Sequence, residues 1–191
     1  MNKLRARVEG FLSKLAVAFS KAHISPNTLT FLSVLVALAG YASAYYFRRG
    51  VLLAALMLAS GFLDALDGAL ARLTGKASKQ GAFLDSFADR VCETIFAFGL
   101  LELGFNPAVV LAYLALSMMV SYARARGEGL GVSTAGVGLM ERAERLIALA
   151  VASTAADYSL EVSQYIIVAT VVLTAVTVVE RFAYIWRALQ N

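Results

Sequence analysis

Six apolar stretches, at about 28–47, 51–71, 82–103, 107–124, 143–157 and 162–182, occupy most of the 191-residue chain. A helix needs roughly 20 apolar residues to cross about 30 Å of hydrocarbon. Inside a bilayer every backbone polar group must find its partner within the protein, which leaves an all-α transmembrane bundle as the fold for such stretches. Composition agrees: 60% of residues are hydrophobic and 16% charged, against about 45–50% and about 25% in soluble domains. Hydrophobicity this high also excludes a disordered chain. The expected architecture is one membrane domain over 1–191, with six transmembrane helices between 28 and 182.

The loops set the orientation. Short connections at Arg48-Arg49-Gly50, Gly104–Pro107 and Asp157–Glu161 alternate with longer polar ones over 73–80 and 125–138, the latter holding five glycines. With six spans, fourteen of the 17 Lys and Arg fall on the side shared by the two termini, and only Arg48 and Arg49 fall on the other; Arg90 lies within the third stretch. Lys and Arg stay on the cytoplasmic side, so both termini are predicted to be cytoplasmic, at the cell membrane. The net charge of +4 fits an anionic lipid surface rather than nucleic acid. Residues 1–21 are too short in apolar run for a span and lack an A-x-A-like cleavage site, so they do not read as a signal peptide. Phe11, Leu12, Leu15, Val17, Ala18 and Phe19 alternate with basic residues at helical spacing, which predicts an amphipathic helix on the membrane surface. Ser25 and Pro26 then supply an N-cap and first-turn residue for span one.

With Cys92 and His23 the sole cysteine and histidine, thiolate and imidazole metal sites and His-based triads are unsupported. The informative groups are acids. Asp64 and Asp67 stand three apart near the end of the second stretch, and Asp85 and Asp89 four apart near the start of the third. Each pair shares a helical face, and the connecting loop folds the two helices into an antiparallel hairpin, so all four carboxylates can meet at one depth. Crowded carboxylates in a low-dielectric site are protonated or hold cations between them. An oxygen-only donor set points to Mg²⁺ or Mn²⁺, and a pair of such ions can clamp a diphosphate. Gly68 and Gly81 clear room beside the carboxylates for a phosphorylated ligand, and Arg72 is placed to pair with phosphate. Intramembrane acids also mark ion or proton paths, the reading from another functional class. All four acids lie toward one side, however, with no acidic relay through the other half.

The spacing Asp-x2-Asp-Gly-x2-Ala-Arg-x8-Gly-x3-Asp-x3-Asp, carried by Asp64, Asp67, Gly68, Ala71, Arg72, Gly81, Asp85 and Asp89, resembles the signature of the CDP-alcohol phosphotransferases, without a departure. The surface helix and six spans are similar to that family's plan. The resemblance implies that a CDP-linked lipid (CDP-archaeol or CDP-diacylglycerol) gives its phosphatidyl-type group to an alcohol and CMP leaves. It implies that Asp64, Asp67, Asp85 and Asp89 hold two divalent ions and that Asp89 is also the general base. Gly68, Ala71, Arg72, Ser78 and Gly81 would border the nucleotide and its phosphates. Asn27 and Thr30, in the segment Pro26–Thr30, would border the cytidine; a plain helix start is the other reading of that segment. Family members are commonly homodimers.

The motif does not name the acceptor. Arg124, Arg126, Arg142, Arg145 and Arg181 gather on the same side as the acids, and guanidinium groups pair bidentately with phosphate. They suit a phosphorylated polyol, while the positive-inside rule alone is the other account of them. The stretches around Arg124–Gly129 and Gly138–Leu146 resemble the archaetidylinositol phosphate and phosphatidylinositol phosphate synthase branch, which uses inositol 1-phosphate. Glycerol 3-phosphate, the acceptor of phosphatidylglycerophosphate-type synthases, is the alternative.

Overall fold

Ser25 accepts a hydrogen bond from the Thr28 amide at 3.2 Å, and Pro26 presets the backbone of the first turn, so a helix starts there. The computed structural model describes residues 2–190, with backbone alone for 2–9 and 11. These residues form seven helices: α1 (Asn2–Lys21), α2 (Pro26–Phe47), α3 (Gly50–Leu73), α4 (Lys79–Glu102), α5 (Pro107–Gly129), α6 (Arg142–Ala156) and α7 (Leu160–Ala188). Among them α2, α3, α5 and α7 are long and apolar enough to cross a membrane. α4 matches α3 in length at 24 residues, but it carries the charges Asp85, Asp89, Arg90 and Glu93 across its middle. α6 has 15 residues, which at 1.5 Å per residue makes it about 22 Å long.

The connection after α5 is shorter at its start than the 125–138 loop expected from composition. The helix continues through Arg124 and Arg126 to Gly129, with Arg124 Nε bonded to Glu128 Oε1 at 2.9 Å one turn on. Such an i, i+4 pair supports a helix that glycines alone would weaken. The loop that follows is anchored from α7. Arg181 donates to the carbonyls of Val137 and Val120 at 2.9 and 3.0 Å and to Glu141 at 3.2 Å. The Met140 amide donates to Thr177 Oγ1 at 3.0 Å. Gly138 passes here with φ +104°, and a Cβ on it would sit 2.3 Å from Thr177 Cγ2, so no other residue fits.

α2 packs along both α3 and α4, whereas α3 and α4 touch each other little. The two acid-bearing helices are joined by a short turn and held apart by α2, more splayed than a tight hairpin. α6 lies against α3 and α7, and α7 against α5. The main core contains Ala37, Leu53, Met57, Phe96, Leu100 and Tyr113. A second cluster forms where α1 docks: Leu12, Leu15, Ala16 and Phe19 meet Leu29, Leu66 and Leu70. Of the apolar face expected for α1, Val17 and Ala18 are instead exposed. The docked stripe runs through positions 12, 15, 16 and 19, one face of a 3.6-residue repeat, which leaves 17 and 18 on the far side. The side chain of Phe11 lies outside the described residues.

A buried ion pair locks α4, α5 and α6 together. Glu93 Oε1 accepts from Tyr113 Oη at 2.9 Å, from Ser117 Oγ, and from Arg145 Nε at 3.1 Å. Arg145, 1% exposed, also donates to Glu93 Oε2 at 3.5 Å and to the Met140 carbonyl at 3.0 Å. Removing one member of such a pair leaves the other charge buried and unpaired. Glu93→Ala is therefore expected to lower stability by about 3–5 kcal/mol, read as an earlier unfolding midpoint in detergent, with a smaller loss for Glu93→Gln. An unchanged midpoint in the alanine variant would show that Arg145 needs no partner.

Candidate active site

α3 presents Asp64 and Asp67 one turn apart, and α4 presents Asp85 and Asp89 likewise. Carboxylate oxygens of Asp64, Asp67 and Asp85 all lie within 4.8 Å of one another. Asp67, 3% exposed, accepts a 2.5 Å hydrogen bond from Thr30 Oγ1 on α2. Asp89 stands beside this trio rather than in it. Its Oδ1 is 2.6 Å from Arg142 Nη2 and its Oδ2 is 3.3 Å from Arg90 Nη2. The other nitrogen of the Arg142 fork, Nη1, donates to Asp64 Oδ2. Asp64 Oδ1 is buried and accepts no hydrogen bond.

An orphaned carboxylate oxygen among like charges is costly to bury. The donor set is all oxygen, lies on two helices and converges within a few ångströms. Those properties suit a hard divalent cation such as Mg²⁺ or Mn²⁺.

A cavity borders Asp67 and Asp85, and another lies at the arginines that bond Asp89. The first, of about 210 Å³, is walled by α2, α3, α4 and the turn between the last two. All seven residues expected beside the nucleotide line it: Asn27, Thr30, Gly68, Ala71, Arg72, Ser78 and Gly81, together with Asp67 and Asp85. Ser78 caps α4 by accepting from the Gly81 amide at 3.0 Å. A Cβ at Gly68 would come 3.4 Å from Arg72 Nη1, and one at Gly81 would come 3.2 Å from Ser78 Oγ. Side chains at either position would intrude on the cavity wall.

The second cavity, of about 190 Å³, is lined by Arg90, Arg124, Arg142, Arg145 and Arg181, with Glu141 and Glu144. Four of the five arginines expected at the acceptor phosphate are thus brought together. Arg126 is exposed on α5 and is not part of this wall. The four are not equivalent. Arg145 and Arg181 are buried, with their forks bonded to Glu93, to Glu141 and to backbone carbonyls. Arg124 is more than half exposed and, among the described residues, pairs with Glu128, also exposed.

Sequence reasoning missed Glu93 and Arg90. The signal for Glu93 was present: an acid inside an apolar stretch, four residues after Asp89 and so on the same face. Arg90 was set aside as a lone intramembrane charge, yet its Nη2 bonds Asp89 and its Nε lies 3.8 Å from Glu93 Oε2.

Residues 23–179 match the CDP-alcohol phosphatidyltransferase family. The chain is 37% identical over 187 residues to the archaetidylinositol phosphate synthase of Aeropyrum pernix, covering 96% of this chain and 95% of that one. It is 42% identical over 156 residues to the archaetidylinositol phosphate synthase of Pyrococcus horikoshii, covering 80% and 81%. Among solved structures it is similar to the phosphatidylinositol phosphate synthase of Mycobacterium tuberculosis with CDP-DAG bound, with a TM-score of 0.81 at 26% identity over 92% of this chain and 93% of that one. The same mycobacterial enzyme in complex with manganese and citrate superposes equally well, with a TM-score of 0.81. The aspartate spacing, the cavity it borders and the match over most of its length make this chain a member of the CDP-alcohol phosphatidyltransferase family.

Proposed function

We propose that the protein transfers the archaetidyl or phosphatidyl group of a CDP-linked lipid to inositol 1-phosphate, releasing CMP. The observation that carries this reading is that the aspartates border one cavity and are bonded by arginines that line another of different chemistry. One is lined by the family's nucleotide motif and the other by arginines. The names of the archaeal relatives and of the mycobacterial structures support inositol phosphate as the acceptor.

In this reading the cytidine and diphosphate of the donor enter the first cavity, against Asn27, Thr30, Ser78 and the glycines, with Arg72 on a phosphate. Asp64, Asp67, Asp85 and Asp89 would hold two divalent ions, Mg²⁺ or Mn²⁺. When bound, such ions draw charge from the diphosphate and stabilise the departing oxygen. Thr30 fixes the rotamer of Asp67. Asp89, held by Arg90 from its own helix, takes the proton from the acceptor hydroxyl, which must come within hydrogen-bond reach of it. The freed oxygen attacks the lipid-side phosphorus and the bond to CMP breaks. Arg124 and Arg142 grip the acceptor phosphate, while Arg145 and Arg181, already bonded within the protein, hold the shape of its pocket.

An ion path through the acids has less support. The next acid inward, Glu93, is enclosed by Tyr113, Ser117 and Arg145 and offers no open step across the bundle. We further propose that α2 to α7 all span the membrane, that α1 lies on the cytoplasmic surface and that both termini and the active site face the cytoplasm. A homodimer packed on α4 and α5 completes the assembly.

Three measurements test these statements. Purified protein given Mg²⁺, CDP-archaeol or CDP-diacylglycerol, and inositol 1-phosphate is expected to release CMP, and Asp89→Asn to lose that activity while staying folded. CMP release with glycerol 3-phosphate alone would overturn the acceptor. Arg124→Ala is expected to raise the KM for inositol 1-phosphate about tenfold or more, the worth of a charge-assisted hydrogen bond, and to leave the KM for the CDP-lipid unchanged. An equal effect from Arg126→Ala would count against the cavity as the phosphate site. Because Cys92 is buried, single cysteines introduced elsewhere report topology cleanly. A cysteine at Lys79 should react with an impermeant maleimide only after cells are opened, and one at Asn106 should react in intact cells; the reverse pattern would invert the orientation.

A further inference from the structure

Arg142 belongs to both halves of the site. It is the first residue of α6, it lines the arginine cavity, and its fork reaches out of that cavity to Asp64 and Asp89. Arg124, Arg145 and Arg181 line the same cavity, but their recorded ion pairs are with Glu128, Glu93 and Glu141. Arg90 touches Asp89 and Glu93, not Asp64. Among the described residues, Arg142 is therefore the cation whose ion pair includes one of the three converging carboxylates.

We propose that Arg142 is a built-in counter-ion that couples the two cavities: it neutralises Asp64 and Asp89 in the unloaded protein and turns to the acceptor phosphate once divalent cations take over those carboxylates. The inference rests on the metal and acceptor reading above and adds an order to it.

The argument is one of charge and reach. A guanidinium bridging Asp64 and Asp89 competes with any cation for the same negative charge. When divalent cations arrive, the excess of negative charge that held Arg142 is gone and the guanidinium is repelled by its replacements. Its side chain starts from the N-terminal turn of α6, where unpaired amides and the helix dipole already favour an anion. A released Arg142 can thus pair with a phosphate in the cavity it lines without any movement of the helix. Thermodynamic linkage then requires reciprocity: cations tighten acceptor phosphate, and acceptor phosphate tightens cations by the same factor. The acceptor would be gripped fully only in a protein whose carboxylates are already charged with metal, which protects against a phosphate occupying an unproductive site.

The test is equilibrium Mn²⁺ binding to the full-length protein in nanodiscs, followed by electron paramagnetic resonance of free Mn²⁺, without turnover. Arg142→Gln is expected to bind Mn²⁺ about 5-fold or more tightly than the native chain, the low end of a typical coupling. Arg126→Gln, which removes an equal charge outside the cavity, should change the affinity by less than about 2-fold. Added inositol 1-phosphate should tighten Mn²⁺ binding in the native chain and not in Arg142→Gln, with free inositol as the control for both. If Arg142→Gln does not purify folded, Arg142→Met serves, since it keeps a long unbranched side chain without the charge and Mn²⁺ should again bind more tightly. Equal Mn²⁺ affinity in native and variant chains would overturn the counter-ion role while leaving the metal site intact. Absence of Mn²⁺ binding in the native chain would overturn the metal reading and this inference together.

Discussion

Mutual repulsion among carboxylates governs this molecule. Asp64, Asp67 and Asp85 bring oxygens within 4.8 Å of one another, and Asp89 stands next to them. Such a group persists in a low-dielectric setting only if its surroundings supply positive charge and donors. The nearby structure can be understood as that supply. Thr30 donates to Asp67 from α2, Arg142 bonds Asp64 and Asp89 from α6, and Arg90 bonds Asp89 from its own helix. Three helices besides α3 are thereby committed to particular positions. The fold's least favourable feature is also what fixes the relation of its parts.

A second tier of polar contacts keeps those donors where they are needed. Arg142 can face the aspartates because α6 starts at a fixed point, and that point is set by Arg145 on Glu93 and on the Met140 carbonyl. The loop leading into α6 is held in turn by Arg181 and by Thr177, with Gly138 allowing the close approach. Buried arginines thus divide their labour. Arg142 is bonded to the aspartates, and Arg145 and Arg181 are bonded to the frame.

Much of this arrangement was legible in the sequence because its carriers have short, regular spacing. Apolar runs marked α2 to α7, Ser25-Pro26 marked the start of α2, and the i, i+3 and i, i+4 aspartates marked the site. The seven residues that line the first cavity lie in two short segments, Asn27–Thr30 and Gly68–Gly81, and were grouped by the family resemblance. Contacts between distant segments were not. Nothing local says that Glu93 meets Arg145 across 52 positions, or that α2 rather than α3 packs against α4. The division of the arginines was also hidden, because burial, not residue type, separates Arg124 from Arg145. The end of α5 was misjudged where glycines in 127–131 suggested a loop and an Arg124–Glu128 pair kept the helix going.

The two cavities differ in more than their linings. Their linings share no residue: the first takes in Asp67 and Asp85, and the second meets the aspartates through Arg90 and Arg142, so two reactants held in them would not have to take turns. A site with one opening would favour handing the transferred group to the protein, releasing the first product and only then admitting the second reactant. On the proposed reading, the donor phosphorus and the acceptor hydroxyl would then be held at the same time. Such a layout would make a covalent enzyme intermediate unnecessary and give displacement in a single ternary complex, with inversion of configuration at phosphorus as its mark.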